Sequence, residues 1–477
     1  MKITFNYIRN RIREHNKEDI VNACYKLLES YDKNLGPIWF VFILMKWTYL
    51  YGSENHHSKP LTNKKFSTLL KSISKFNDNH ISQFIKDGKI DRAFHILYTQ
   101  QFYLQTEVYP DIFTSQLKLF KSLGNNKINN TFKQLTKVDI YDFIYFMQLI
   151  WLYINIDKLK KEGFKYEGYL PPYLINLIAE IIGFDKVDNI LKIMVLDPIF
   201  PASEIKSLKY TIRKEEYQSM ERTFFTNFPL QIQNNKIRII HLSVLKYSLN
   251  YYIYDFLKNN DPNFTTVFGI AFEKYINEGI NYCYNKYYNE NELKKILPKN
   301  SNIVDFYIPK ENIYIECKAI ESQNYASVNP TDEIIYNSLK DSIFKAYFKQ
   351  LLKVSKKINP NKENWGIIIT YKKLFWSQFS ELYNLAKDKF ENFNDIQHLP
   401  PENVFVIDIY TWDKIVYILH SKQSSLTKIL KSAKEKNSSF NTKKQCFDMH
   451  LDEYDFTNFK LDYLTTERKL LEVKFKK

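Results

Sequence analysis

Through the first half of the chain, apolar residues recur at spacings of three and four. The stretches EDIVNACYKLLESY, NKKFSTLLKSISKF and YPDIFTSQLKLFKSL each predict an amphipathic helix. Residues 1–225 therefore read as a helical domain, without a repeat of fixed period. Two stretches, PIWFVFILMKWTYLY and FIYFMQLIWLYINI, are apolar all round. Both are shorter than the roughly 18–20 residues of a membrane span, and Lys46 and Gln148 interrupt them. They predict buried helices and no membrane partner. Pro110-Asp111 precedes a helix-like stretch, which predicts a capping aspartate.

Near residue 226 the period changes. FPLQIQNNKIRIIHL predicts strand, Asn-Asn turn, strand. Two helices follow, SVLKYSLNYYIYDFLKNN and FGIAFEKYINEGINYCYNKYY. Next come NIVDFYI, a PKEN turn and IYIECKAI, then the helix DSIFKAYFKQLLKVSKKI. WGIIITYKK and VFVIDIY are short β-branched runs suited to central strands. This order predicts an α/β domain with a mixed sheet over residues 226–425. Residues 426–477 begin Lys/Ser-rich and read as a basic C-terminal tail. The expected fold class is thus multidomain, α+β with α/β, its N-terminal region mainly helical.

In the hairpin, the turn sequence Pro-Lys-Glu-Asn separates Ile308 from Ile313. If these two pair, Asp305 falls opposite Glu316 on the same side of the sheet, and alternation puts Lys318 there too. Ile315, Cys317 and Ala319 face the other way. Two facing carboxylates repel, and a divalent cation would offset that repulsion. Mg²⁺ prefers carboxylate oxygens and takes one or two of them, with water and phosphate oxygens completing its shell. Lys318 could serve a water or steady a phosphate. The other reading is a solvent-facing hairpin with a lysine near two acids.

Glu273 lies one step from Phe272 on an apolar helix face, so it is either a third carboxylate at the rim or an ordinary exposed glutamate. In the helix 342–358, Lys345, Lys349, Lys353 and Lys357 share one face. Ile343, Tyr347, Leu351, Val354 and Ile358 lie opposite, and Gln350 sits at the boundary. Such a lysine stripe is either a phosphate-binding footprint or a solvated face.

The formal net charge of +15 favours a polyanion partner or a lysine-rich solubilising surface. With 44% hydrophobic and 16% aromatic residues, the chain builds packed cores. Cys24, Cys283, Cys317 and Cys446 form no CxxC pair, which excludes that type of zinc site and argues against a disulfide framework. With a charged N-terminus lacking a signal-peptide core, a cytoplasmic location is expected. There is no Walker loop, GxSxG or HExxH. His56-His57 reads as a solvated loop.

Together, the acidic helix, Asp305, the Glu316-x-Lys318 step and the following helix with Gln350 resemble the PD-(D/E)XK nuclease superfamily. The resemblance spans roughly residues 226–420, with Val304 where many members have proline. It implies a restriction-endonuclease-like fold and Mg²⁺-dependent, or Mn²⁺-dependent, cleavage of DNA. It further implies that Asp305 and Glu316 bind metal, that Lys318 serves the attacking water, and that Glu273 and Gln350 assist, Glu273 as a further metal ligand. Many such nucleases act in restriction, repair or phage defence, and many are homodimers. By analogy the helical region would sense an activating partner. Two other readings stay open: an RNA-cleaving nuclease, and a non-catalytic nucleic-acid-binding protein on the same scaffold.

Overall fold

Helices dominate the computed structural model, which describes residues 3–29, 38–54, 58–101, 106–124, 126–159, 168–196, 217, 219, 223–233, 235–299, 301–376, 378–390, 396–439 and 441–472. They are joined by two mixed sheets. The chain divides into two compact units. One comprises Met1–Val108, Asn130–Pro262 and Ser327–Pro330, and the other comprises Tyr109–Asn129, Asn263–Ala326 and Thr331–Lys477.

In the first unit, helix Trp39–Tyr51 is buried on nearly every side, as its all-round apolar sequence predicts. Its Leu44 and Trp47 pack with Ile8, Ile12, Cys24 and Ile73 in one core. Helix Ile140–Leu159 is the second such stretch. Among the described residues no helix is long and apolar enough to cross a membrane. The predicted hairpin forms as β3 (Leu230–Gln233) and β4 (Lys236–Ile239), with Asn235 at φ 57° in the two-residue turn. Two short strands that the periodicity does not reveal, β1 (Tyr169–Leu170) and β2 (Val195–Leu196), complete a sheet of order β1-β4-β3-β2. The change of period at 226 thus falls inside this unit.

The second unit is built on a five-stranded sheet of order β5-β6-β7-β8-β9: β5 Tyr288–Asn289, β6 Phe306–Ile308, β7 Ile313–Lys318, β8 Trp365–Thr370 and β9 Val404–Asp408. The pairs β5–β6 and β6–β7 are antiparallel, whereas β7, β8 and β9 run parallel. Strand β8 is central, as its buried β-branched run suggests. Strand β9 instead ends the sheet, and it is buried, with Gln378 bridging to Phe405 and Phe447 meeting that ring edge-on. Covering an edge in this way removes a pairing hazard.

Tyr307, Tyr314, Ile368, Val404 and Val406 pack in one cluster with Ile343, Tyr347, Leu351 and Val354. Those four come from a continuous helix over 332–358. It is α-helical at Asp332–Leu339, wound wider in two π segments (Lys340–Phe344 and Ala346–Leu351), and α-helical again at Leu352–Ile358. Alternate strand residues, among them Ile315, Ile367 and Ile369, are buried facing away from that cluster. Helices Phe264–Cys283 and Ile409–His420 lie against β7 and β8.

Where a basic tail is expected, helices Leu426–Asn437 and Thr465–Glu472 bury Leu426, Ile429, Leu430 and Leu471 in this unit. Asp111 also departs from expectation. It makes no side-chain cap bond and adopts φ 59°. Its carboxylate instead accepts hydrogen bonds from Arg468 Nη2 at 2.6 Å, Arg468 Nε at 3.3 Å and the Leu461 N–H at 3.1 Å.

Candidate active site

The hairpin folds in the register that its turn predicts. Ile308 pairs with Ile313, Tyr307 with Tyr314 and Phe306 with Ile315, and one further step sets Asp305 opposite Glu316. The turn closes with the Glu311 N–H donating to the Ile308 carbonyl and with Asn312 at φ 53°, a conformation asparagine tolerates. The solvent-facing reading of the hairpin fails here, because Glu316 is only 1% exposed.

Four of the expected residues meet in space. Lys318 Nζ donates to Glu316 Oε1 at 2.6 Å, and Gln350 Nε2 donates to the same oxygen at 2.5 Å. Gln350 Nε2 also reaches the Ile303 carbonyl at 3.2 Å, so the helix side chain is clamped between strand and lead-in. Asp305 Oδ2 accepts the Cys317 N–H at 2.6 Å. Glu316 Oε2 and Gln350 Oε1 are buried and have no hydrogen-bond partner among the described residues.

Electrostatics tie these groups together. Burial first, then the Asp305 charge, raises the Glu316 pKa to about 8, against the pull of Lys318 and Gln350. Burial also raises Asp305, opposed by the Cys317 N–H and Lys318. Glu273 is half-buried and raised to about 7, by burial, then by Asp305 and Glu290. Burial works against the Lys318 ammonium, but Glu316 and Asp305 outweigh it and hold its pKa above the usual lysine value.

Glu273 is therefore close enough to couple to the acids by charge. Among the described residues no three His, Cys, Asp or Glu side chains are gathered to hold a metal ion. The acids are turned to the chain's own donors, Lys318, Gln350 and the Cys317 N–H. The donor set of two carboxylates fits a hard cation, because Glu316 Oε2 is a buried acceptor without a partner among the described residues, Asp305 acts on it by charge, and Mg²⁺ needs only one or two carboxylates. Asp305 and Glu316 are the residues that would hold it.

Lys345, Lys349, Lys353 and Lys357 are all exposed, as the helical period predicts. His56 and His57 lie outside the described residues. Sequence reasoning missed Glu290. Strand β5 pairs Tyr288 with Tyr307 and Asn289 with Phe306, and the helix Glu290–Ile296 that starts directly after it brings Glu290 close enough to act by charge on Asp305. Its carboxylate takes Lys294 at 2.7 Å and adds to the negative potential on Asp305 and Glu273. Only a pairing partner for a two-residue strand could have revealed it, and nothing in the local pattern marks one. No family model, curated protein or solved structure matches this chain.

Proposed function

We propose that the second unit is a metal-dependent nuclease of the PD-(D/E)XK kind, an endonuclease hydrolysing phosphodiester bonds in DNA. One observation carries the reading: Asp305 and Glu316 lie one step beyond the paired residues of the hairpin and act on each other by charge, with Lys318 at hand, while a buried Glu316 oxygen lacks a hydrogen-bond partner among the described residues. A structural hairpin gains nothing from a buried pair of like charges, whereas a site that takes up a cation does. The bound cation would supply positive charge against the developing charge on phosphate.

The chain's own residues divide the remaining work. With its pKa raised, Lys318 stays an ammonium at neutral pH, which supports charge stabilisation and water orientation rather than proton removal. Gln350 fixes the rotamer of Glu316 from the helix side. Glu273, titrating near neutrality at the rim, is the group best suited to accept a proton.

The test incubates wild type and Asp305→Ala with plasmid DNA, single-stranded DNA and total RNA, each with Mg²⁺, Mn²⁺ or EDTA. Cleavage of DNA by wild type alone, lost in EDTA, is the expected result. Cleavage of RNA only would reassign the polymer. Equal cleavage by Asp305→Ala would refute the site.

A further inference from the structure

We propose that Lys349, Lys353 and Lys357 form a track for the sugar-phosphate backbone of the strand that enters the acid cluster. This deepens the nuclease reading and rests on it for the identity of the polymer. Gln350 reaches Ile303 and Glu316, and seven residues on, Lys357 Nζ donates to Ser301 Oγ at 2.8 Å. Two points of the helix thus lie against the 301–305 segment that delivers Asp305. Lys353 falls between them, three residues after one and four before the other, on the same edge. The row therefore starts at the site and leads away from it.

The row is left uncompensated by its own fold. Lys345, Lys349 and Lys353 are exposed and form no ion pair among the described residues, whereas Lys192 and Lys294 each find an acid four residues away. Like charges at that spacing destabilise a helix. The same helix is wound wide in two π segments, a feature common at functional sites. Lys353 and Lys357 sit in its α-helical end, so they are spaced about 6 Å along the axis. That step suits a regular line of negative charges better than one phosphate. The chain's net charge of +15 acts in the same direction.

The experiment measures binding of the full chain in EDTA, so that no cleavage occurs. Labelled single-stranded DNA and the same sequence as duplex are titrated by fluorescence anisotropy over a range of salt. The variant is Lys353→Ala/Lys357→Ala, with Lys71→Ala/Lys75→Ala, an exposed pair at the same spacing on helix Asn63–Lys86, as a control of equal charge change. The track predicts about tenfold weaker binding for the first variant. It also predicts a salt slope shallower by about 1.4 on a single strand or about 1.8 on duplex, while the control stays near wild type. Equal losses in both variants would show only a diffuse field and overturn the track. So would an unchanged slope in the row variant, or preferential binding of polyglutamate in place of DNA. None of these outcomes bears on cleavage by wild type against Asp305→Ala, so the track and the nuclease reading fail separately.

Discussion

Replacing Glu316 by glutamine removes one charge from the most buried acid of the site and keeps its shape. Glu316 titrates at about 8 in the folded protein, against 4.5 for an ordinary glutamate. Below the lower value it is protonated whether folded or unfolded, and it contributes no pH dependence. Between the two values the folded protein holds a proton that the unfolded chain has released. Stability therefore falls as pH rises through this window, and the full loss is in place above about pH 8. Each unit is worth about 1.4 kcal/mol, so ionised Glu316 disfavours the folded state by up to about 4–5 kcal/mol. Glu273 acts in the same direction up to about 7, by less, because it is only half-buried. Glu316→Gln mimics the protonated acid. In EDTA at about pH 9 it should melt well above wild type, and the gap should close towards about pH 5. Mg²⁺ should stabilise wild type at the higher pH and leave the variant unmoved. Thermal melts of the full chain across pH, with and without Mg²⁺, measure this. A variant less stable than wild type at about pH 9 would show that the Lys318–Glu316 pair outweighs burial, and the reasoning would fail.

Gln350→Leu removes the donor to Glu316 and to the Ile303 carbonyl, which should destabilise the protein by about 1–3 kcal/mol and push the Glu316 titration further up. Its pH-dependent melts should therefore run parallel to wild type below about pH 8 and diverge above it, where wild-type Glu316 has ionised and the variant's has not. Among the described residues, Arg468→Met leaves Asp111 with only the Leu461 N–H, and it should cost about 3 kcal/mol in denaturant melts. Asp111→Asn in that background should recover much of the loss, since it removes the uncompensated charge, keeps an acceptor for the Leu461 N–H and tolerates the left-handed backbone at φ 59°.

Much of the site was legible before any fold was known, and for a local reason. A tight turn sets strand register, and side chains alternate along a strand, so the turn after Ile308 already places Asp305, Glu316 and Lys318 together. The helical period likewise sorts Lys345 to Lys357 outward, Tyr347 and Leu351 inward, and Gln350 to the boundary. Such patterns depend on residues a few positions apart, and the chain carries them wherever it folds.

What the tertiary structure decided is which distant segments meet. Strand β5 is too short to have a pattern, yet its pairing with β6 carries the helix start at Glu290 close enough to act by charge on Asp305. Arg468 reaches Asp111 from the other end of the chain, where a capping role looked sufficient. The depth of Glu316 comes from the helix over 332–358 closing on that face of the sheet, and depth is what raises its pKa. Periodicity gives the direction of a side chain, but its burial and charge neighbours depend on contacts closed over long loops, and those are set by how the packed elements fit together.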